Sequence, residues 1–459
     1  MPRHDFVISE AMRAEVKPLA GLAVPIILGY AATMLMGITD SIMLAPLGSV
    51  PLAAVGLTNA VSNVIFSAVW GVLTALGVRI GMAWGAGEGR RIPHILRNGL
   101  ILGGMAGAAG AAAMGVIWFL LPFMGQPAEV IEAMPLYWAL VAAYMLPFGF
   151  LTVFKSAFEA VDRPWLGTIF AFSAVAVNVP LNWWLIWGGL GVPPLGLTGA
   201  GLASLIAEIV AFLVALGYWA WAPSMRRLRL PRRIDWREIA SAGREGMPLG
   251  LLYTAEAGAM TVATVMIGTF GTVALAANQV IWAVSGVTYM IPLGIAGAVA
   301  IRIAQENGAG NMQALRPIAW TALVLALGWQ GMMALVMAFG GRTIAQWITS
   351  DEVVVALAAQ MFLAVAALQI FEGLQSTMLG SLRGLSDTAW PAVVSLIGYW
   401  AISLPVGWWL AGPMGFGPAA IWAGFVAGLA FAGIALVFRL LAVTGEEDRY
   451  QIGPTTGFA

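Results

Sequence analysis

Residues 19–43 read LAGLAVPIILGYAATMLMGITDSIM, an apolar run whose only charged side chain is Asp40. About 20 apolar residues are enough for a helix to cross the hydrocarbon core of a bilayer. A charged group at the bilayer centre costs about 3 kcal/mol even on lenient insertion scales, so it usually marks an ion or proton pathway. This stretch therefore predicts a membrane-spanning helix that carries a functional carboxylate.

Similar runs occupy most of the chain, which is 60% hydrophobic, only 10% charged and has a mean hydropathy of +0.88. Soluble domains carry about 25% charged residues. We predict an all-α polytopic membrane protein rather than a β-barrel, since barrel strands are alternating segments of about ten residues and these runs are continuous. The twelve predicted spans are 19–43, 55–78, 98–121, 136–158, 165–187, 199–222, 247–270, 276–300, 318–340, 354–380, 389–411 and 418–441.

The charges between these spans are unevenly distributed. The net charge is zero, which gives no basic field for nucleic acid. If the amino terminus is inside, the inner loops hold most basic residues, including Arg79, Arg90, Arg91, Arg97, Arg226, Arg227, Arg229, Arg232, Arg233, Arg237 and Arg244. The positive-inside rule then predicts a multi-pass protein of the bacterial inner membrane with both termini in the cytoplasm.

The second half of the chain repeats the first. A constant shift of 223 residues aligns Pro25 with Pro248 and continues without a gap to Gly87. It matches Gly48 with Gly271, and a later shift of 225 residues matches the segments that begin at Pro180 and Pro405. The repeat unit has six predicted helices, so both copies enter the membrane in the same orientation.

This duplication predicts two lobes of six helices related by pseudo-two-fold symmetry. We place the amino-terminal lobe at 1–222, a basic cytoplasmic linker at 223–246, and the carboxy-terminal lobe with a short tail at 247–459. In transporters with parallel repeats, the substrate binds near the midplane between the repeats, and access alternates as one repeat rocks against the other. We expect the same here.

Four stretches resemble the multidrug and toxic compound extrusion (MATE) family. They are Pro25 to Asp40, NVPLNWWLIWGGLGVPPLGLTGAG at 178–201, LRGLSDT at 382–388 and YWAISLPVG at 399–407. Within that family the chain is similar to the NorM branch. The resemblance implies the twelve-helix duplicated fold and the export of cationic, often aromatic drugs in exchange for entering Na⁺ or H⁺.

The resemblance also implies coupling residues. Acids in the seventh and tenth spans form a cation site in that branch, and here they match Glu256 and Glu372. The acid of the first span matches Asp40. The chain departs from the branch at Glu372, where aspartate is typical, and at Phe371, where a tyrosine hydroxyl would otherwise stand beside the acid.

Further residues are candidate ligands near Glu256 and Glu372. If Glu256 and Glu372 face each other, their mutual repulsion favours a bound proton or Na⁺. Na⁺ would need further oxygens, for which Thr254 and Asn278 are candidates. The alternative is that each acid only hydrogen-bonds a hydroxyl of a neighbouring helix. Beyond this Na⁺ we predict no metal; with no cysteine in the chain, thiolate metal sites are excluded, and we expect no cofactor.

Asp40 is predicted to bind a proton, the cationic substrate, or both. Asn178 and Asn182 lie one helical turn apart and are expected to supply oxygens near Asp40; the alternative is that they only hydrogen-bond neighbouring helices together. Glu208 is a further carboxylate within a span, and its role stays open between a site and an acid that merely faces a water-filled cleft. Aromatic and methionine side chains predicted to line a substrate cavity are Phe66, Trp70, Phe150, Phe154, Trp282, Tyr289, Met290 and Phe371.

Other function classes fit the sequence less well. A lipid-linked precursor flippase or metabolite exporter of the same superfamily would need basic residues deep in its cavity, and no arginine lies deep in a predicted span. An intramembrane enzyme would need histidine or serine-based motifs that the spans lack, so we predict no enzyme activity. A channel is physically possible, but a duplicated two-lobe layout with asymmetric buried acids suits exchange better. We expect a monomer in the lipid bilayer whose partners are small cationic or aromatic molecules, and no nucleic acid.

Overall fold

The computed structural model describes residues 10–124, 126–189, 191–223 and 233–450, and these ranges are almost entirely helical. Within them, twelve helical segments are long and apolar enough to cross a membrane, which confirms the predicted number of spans. Helices suit the bilayer interior because lipid offers no partner for an unpaired backbone N–H or C=O group. Residues 224–232 of the basic linker, which include Arg226, Arg227, Arg229 and Arg232, lie outside the described residues.

The helices run well beyond the predicted apolar cores at many ends. They are α1 (Glu10–Leu44), α2 (Ser49–Gly85), α3 (Ile92–Leu120), α4 (Ala128–Ala133), α5 (Pro135–Ala160), α6 (Pro164–Trp187), α7 (Gly196–Trp221), α8 (Trp236–Gly268), α9 (Thr272–Gly308), α10 (Met312–Ile348), α11 (Glu352–Gly384), α12 (Ala389–Leu396), α13 (Leu404–Ala411) and α14 (Ala419–Tyr450). The short α4 precedes the span formed by α5, and α12 and α13 belong to one span.

The eleventh span contains an irregular segment. Between α12 and α13, residues Ile397–Ser403 form a π-helical segment. Pro405 explains the irregularity, because proline has no N–H to donate and its ring clashes with the carbonyl of the preceding turn. A wider turn relieves that clash, and such segments are frequent at functional sites.

The repeat seen in the sequence is reproduced in the backbone. Residues with positive φ occur at matching places in the two halves, mostly at glycines, which adopt this conformation without steric cost. The pairs are Gly48 and Gly271 at +110° and +107°, Gly87 and Gly310 at +70° and +75°, and Asp162 and Ser386 at +61° and +60°. Equivalent turns therefore connect equivalent helices.

Contacts divide the chain into two compact units. The N-terminal unit is Val24–Ala257, and the C-terminal unit combines Gly258 onwards with the described residues before Val24. Within the N-terminal unit α5 packs against α2, α3, α6 and α7, and within the C-terminal unit α11 packs against α9, α10 and α14. The unit boundaries fall inside α1 and α8, while the lobe boundaries expected from the sequence stay a prediction.

Each unit contains an ion pair that joins the two sequence repeats. In the N-terminal unit, Arg79 Nη1 lies 2.8 Å from Glu238 Oε1 at the start of α8. In the C-terminal unit, Arg302 Nε lies 2.9 Å from Glu15 Oε2 near the start of α1. The repeat pairs Arg79 with Arg302 and Glu15 with Glu238. The first helix of each repeat thus begins by bonding the second helix of the other copy.

Asp235 caps the start of α8 just before the seventh span. Its Oδ1 accepts hydrogen bonds from the backbone N–H groups of Arg237 at 2.9 Å and Glu238 at 3.3 Å, as an N-cap residue does. The backbone hydrogen bonds from Glu238 and Arg237, with a smaller contribution from nearby His94, hold the pKa of Asp235 below its usual value. The helix that carries Glu256 therefore has a fixed starting point.

Glycines let α3 and α5 approach closely inside the N-terminal unit. A Cβ atom on Gly103 would lie 2.7 Å from the carbonyl oxygen of Gly149, which is closer than real contacts allow. Small residues at such contacts are the usual basis of helix packing in membranes, where burial against lipid gives no hydrophobic gain.

We predict that Gly103→Val destabilises the protein by about 1–3 kcal/mol, because the side chain must push apart two backbones that are already in contact. Gly115→Val is the matched control on the same helix, since a Cβ there meets nothing within 4 Å. Thermal unfolding of the purified variants in detergent measures the difference. Equal stabilities for the two variants would contradict this account of α3–α5 packing.

Candidate functional site

Four polar side chains form a closed hydrogen-bonded ring in the N-terminal unit. Asn182 donates from Nδ2 to Asp40 Oδ1, and also to Asn178 Oδ1 at 3.0 Å. Asn178 donates from Nδ2 to Ser204 Oγ at 3.1 Å, and Ser204 Oγ donates to Asp40 Oδ2 at 3.0 Å. Both oxygens of the Asp40 carboxylate are therefore engaged by neutral donors. We call this set the Asp40 ring.

Three helices bring the Asp40 ring together. Asp40 lies near the carboxyl end of α1, the two asparagines lie one turn apart on α6, and Ser204 lies in the first half of α7. Asn178 and Asn182 are wholly buried, whereas Asp40 is half-buried. Since α6 and α7 pack together along their lengths, the ring is held by rigid elements rather than by loops.

The asparagines meet Asp40 in a different way from that expected. The sequence suggested that they supply oxygens, but Asn182 presents an N–H donor to the carboxylate. An amide donor suits a charged acceptor, and hydrogen bonds to charged groups are stronger than neutral ones. The other atom of that amide, Asn182 Oδ1, is buried and has no hydrogen-bond partner among the described residues. It is an acceptor still available beside the acid.

Glu208 lies in the same unit and has one direct hydrogen bond in the described structure. Tyr144 on α5 donates its hydroxyl to Glu208 Oε2 at 2.9 Å. The Glu208 residue is only 4% exposed, in the middle of α7. A buried carboxylate without a basic partner in contact is costly in a membrane, so Glu208 is also a candidate functional residue.

In the C-terminal unit, Glu372 has a partner that the sequence reading missed. Gln330 on α10 donates from Nε2 to Glu372 Oε2 at 3.2 Å. The side-chain oxygen of Gln330 is buried and has no hydrogen-bond partner among the described residues. The amide oxygen of Gln330 is therefore an acceptor without a described partner on a side chain that already contacts the acid. Phe371, the neighbour of the acid, is half-buried.

Glu256 is half-buried on α8, in the N-terminal unit as contacts define it, whereas Glu372 belongs to the C-terminal unit. The predicted pairing of the two acids therefore stays a prediction. Thr254, a candidate ligand, donates its hydroxyl to the carbonyl of Gly250 in its own helix at 2.7 Å. That bond leaves the lone pairs of the threonine oxygen available but does not bring them to an acid.

Asn278 has a structural position instead of the predicted ligand position. It is wholly buried, and its Oδ1 accepts from the indole N–H of Trp422 at 3.2 Å. Its Nδ2 lies 3.3 Å from Thr264 Oγ1, which also accepts from the indole N–H of Trp282 at 3.3 Å. Both ends of the amide are thus occupied by side chains of the C-terminal unit, so the described bonds tie Asn278 to helix packing.

The predicted aromatic cavity residues fall into different settings. Phe66 meets Tyr144 edge to face at 5.4 Å, and Trp70 meets Tyr253 at 4.8 Å between ring centroids. Trp282 is 36% exposed and meets Trp422 at 6.1 Å. The remaining half-buried candidates are Phe150, Tyr289, Met290 and Phe371.

The prediction that Phe154 lines the substrate cavity is wrong. Phe154 is completely buried, with Phe158 and Phe212 within about 6 Å of its ring centroid at 6.1 and 6.2 Å. Such a side chain fills the helix interior and cannot contact a substrate in this conformation. Phe154 could not be distinguished from Phe150 in the sequence, because both belong to one continuous apolar helix.

Three residues that hydrogen-bond the acids were not predicted from the sequence: Ser204, Gln330 and Tyr144. Ser204 had a usable signal, since it precedes Glu208 by one helical turn and therefore shares its face of α7. Gln330 is a polar residue within an apolar span, which is the same signal that marked the acids. Nothing in the sequence indicated that Tyr144 faces Glu208, because the two residues lie on different helices.

Comparisons with known proteins agree on one family. The sequence model of the MatE family matches twice, at residues 25–184 and 248–409, so the matches begin at the two prolines that the internal repeat pairs. The chain is 32% identical over 354 residues to a probable multidrug resistance protein NorM of Mesorhizobium japonicum, covering 75% of this chain and 74% of that protein.

Two further comparisons extend over nearly the whole chain. A probable multidrug resistance protein NorM of Xylella fastidiosa is 29% identical over 453 residues, covering 96% of this chain and 94% of that protein. The crystal structure of the eukaryotic MATE transporter AtDTX14 superposes with a TM-score of 0.86 at 20% identity, covering 97% of this chain and 100% of that one. The structural likeness shows a shared fold.

We predict that Asn278→Leu destabilises the protein by about 2 kcal/mol, because the indole of Trp422 loses its buried acceptor. If Asn278 is structural, any rise in melting temperature that Na⁺ causes in the wild type persists in the variant. Asn59→Leu is the control, since Asn59 is exposed on α2. Thermal unfolding with and without NaCl at constant ionic strength measures both effects. Loss of a Na⁺ response with unchanged basal stability would instead make Asn278 a ligand.

Proposed function

The chain belongs to the MATE family, and from that premise we propose that it is a multidrug efflux antiporter which exports cationic amphiphilic compounds in exchange for entering H⁺ or Na⁺. The relatives named as probable multidrug resistance proteins support the substrate class. A multi-pass protein with twelve spans and a duplicated sequence suits alternating access between two repeats. It acts as a transporter and not as an enzyme.

The observation that carries the proposal is the Asp40 ring. A carboxylate inside a membrane helix, held by three neutral side chains, can bind one positive charge at a time. A proton and a cationic drug would compete for it, and each would favour the conformation that binds it better. Competition of this kind gives exchange directly, because loading of one cation displaces the other.

The ring suits a proton better than Na⁺. Asn182 and Ser204 already donate to both oxygens of the carboxylate, so Na⁺ would have to displace them, whereas a proton needs one lone pair. Glu372 with the free oxygen of Gln330 is better suited to Na⁺. We therefore propose that Asp40 carries protons, and that Glu256 and Glu372 form the cation site of the carboxy-terminal repeat.

The proposal also assigns a role to the aromatic side chains, a location in the membrane, and the partners of the protein. Half-buried aromatic side chains such as Phe66 and Trp70 present ring faces that attract organic cations. We propose a monomer in the bacterial inner membrane with both termini in the cytoplasm, as the positive-inside rule indicates. Its partners are small cationic or aromatic molecules and lipid. It needs no cofactor beyond the coupling ion and binds no nucleic acid.

We predict that pump-deficient cells expressing the wild type extrude ethidium when energised by a proton gradient, by a Na⁺ gradient, or by both. Asp40→Asn and Glu256→Gln remove a charge that the exchange requires, so each should reduce efflux to the background of empty cells. Glu129→Gln, on the exposed short helix α4, is the control and should leave efflux unchanged.

The energising gradient identifies the coupling ion. Loss of proton-driven efflux in Asp40→Asn, with Na⁺-driven efflux retained, would place the two ions at different sites. If the wild type moves no ethidium under either gradient, the multidrug assignment is wrong. A narrow metabolite or a lipid-linked precursor would then be the better substrate class.

We predict that Ser204→Ala slows efflux by about tenfold or more, because a hydrogen bond to a charged group is worth about 1.5–3 kcal/mol. Ser41→Ala is the matched control, since Ser41 adjoins Asp40 in sequence but donates its hydroxyl to the carbonyl of Gly37 in its own helix. Initial efflux rates at equal membrane content measure the effect. Equal rates for the two variants would show that the hydrogen bond from Ser204 to Asp40 does not contribute to efflux.

A further inference from the structure

Glu208 and Tyr144 form a buried polar pair that the proposed exchange at Asp40 leaves unused. Glu208 is 4% exposed at mid-helix, and its hydrogen bond in the described structure comes from the Tyr144 hydroxyl at 2.9 Å. An ionised carboxylate can accept about four hydrogen bonds. A group satisfied this sparsely in the interior of a membrane protein is expensive to keep, so a purely structural role leaves the cost unexplained.

The position of Glu208 relative to the Asp40 ring is fixed by α7. Ser204, which donates to Asp40, stands one turn before Glu208, and residues four apart on a helix are about 6 Å apart on one face. Glu208 therefore lies one turn further from the amino-terminal start of α7 than the ring does. With the proposed topology, that direction leads toward the cytoplasm.

Tyr144 is the hydrogen-bond partner of Glu208 on the neighbouring helix. Its hydroxyl donates to Glu208 Oε2 at 2.9 Å. Its ring lies 5.4 Å from Phe66 and 6.2 Å from Phe148, so aromatic contacts hold the phenol in place. A phenol can keep its hydrogen bond to Glu208 whether that acid is charged or neutral, by acting as donor or acceptor.

A basic group completes the series on the other side of Glu208. Lys155, near the carboxyl end of α5, interacts electrostatically with Glu208, and its ammonium lies 5.3 Å from the centroid of the Tyr30 ring. The groups that interact with Glu208 are thus Tyr144 and Lys155 of α5, while α6 offers the neutral asparagines of the Asp40 ring. Along the unit the order is Asp40, Ser204, Glu208, then Lys155.

From this order we propose that Glu208, hydrogen-bonded by Tyr144, is a second proton-binding site of the N-terminal unit, which takes the proton that Asp40 releases and passes it toward the cytoplasm. The transfer conserves charge: Asp40 changes from neutral carboxyl to carboxylate while Glu208 changes from carboxylate to neutral carboxyl. Glu208 then releases its proton to water on the inner side, and Lys155 favours its return to the charged form. The idea rests on proton-coupled exchange at Asp40.

A spectroscopic experiment tests proton binding without requiring transport. Infrared difference spectra of purified protein in lipid nanodiscs, recorded across a pH titration, show the carbonyl stretch of each carboxyl group that gains a proton. We expect Glu208→Gln to abolish one such band, and Tyr144→Phe to shift that band because a hydrogen bond is lost. Glu132→Gln, on the exposed end of α4, is the control and should leave the band in place.

Transport then separates a relay from helix packing. Glutamine can still accept the hydrogen bond from Tyr144 but cannot bind a proton, so Glu208→Gln tests the proton alone. In proteoliposomes we expect it to slow proton-driven ethidium exchange by about 100-fold or more, as loss of a proton-transfer group does. Ethidium binding at fixed pH should stay within about twofold of wild type, a margin of about 0.4 kcal/mol. Glu208→Asp should restore part of the rate.

Each outcome decides the proposal. A lost band together with slowed exchange supports it. No lost band in Glu208→Gln overturns it, even if transport falls, because the residue would then be structural. A lost band with normal exchange also overturns the relay, since the proton would be bound but not passed on. If the wild type moves no ethidium while the band is present, the proposed function fails and the proton site itself stands.

Discussion

The architecture depends on one constraint, which is that lipid offers no hydrogen-bonding partner to polar groups. Every backbone group must be paired within its own helix, which explains twelve spans and almost no other regular structure in the described ranges. The same constraint applies to the buried acids, because each must find donors on a neighbouring helix. Asp40 finds Asn182 and Ser204, Glu208 finds Tyr144, and Glu372 finds Gln330. Each of these three acids is therefore bonded by a polar side chain of another helix.

The two halves share equivalent turns and ion pairs, but their acids have different polar neighbours. The paired turns at Gly48 and Gly271 and the ion pairs of Arg79 and Arg302 occupy equivalent positions. The polar groups do not follow the repeat, however: Asp40 is surrounded by a complete ring of side chains, whereas Glu372 adjoins an amide with a free oxygen. The two halves therefore share a scaffold but surround their carboxylates with different polar groups.

Much of the architecture followed from the sequence because its causes are local. Length and hydropathy predicted twelve spans, and the gapless shift of 223 residues predicted the duplication that the backbone turns and the family match reproduce. The π-helical form of Ile397–Ser403 did not follow from the sequence, because Pro405 indicates a disturbed helix without specifying how the turn rearranges. Phe154 was misread because a buried and a cavity-facing ring look alike in an apolar helix.

The helical membrane fold and the acids within the spans can be predicted from the amino-acid sequence, since both depend on the cost of placing residues in lipid, and the repeat is visible as matching residues. The side chains that hydrogen-bond each acid became known from the packing of the helices. The contacts of Asp40 with Ser204 and of Glu208 with Tyr144 join helices far apart in the chain. Helical periodicity fixes which residues share a face of one helix, but it carries no information about the rotation of one helix against another. That rotation is set by packing, as at Gly103 and Gly149.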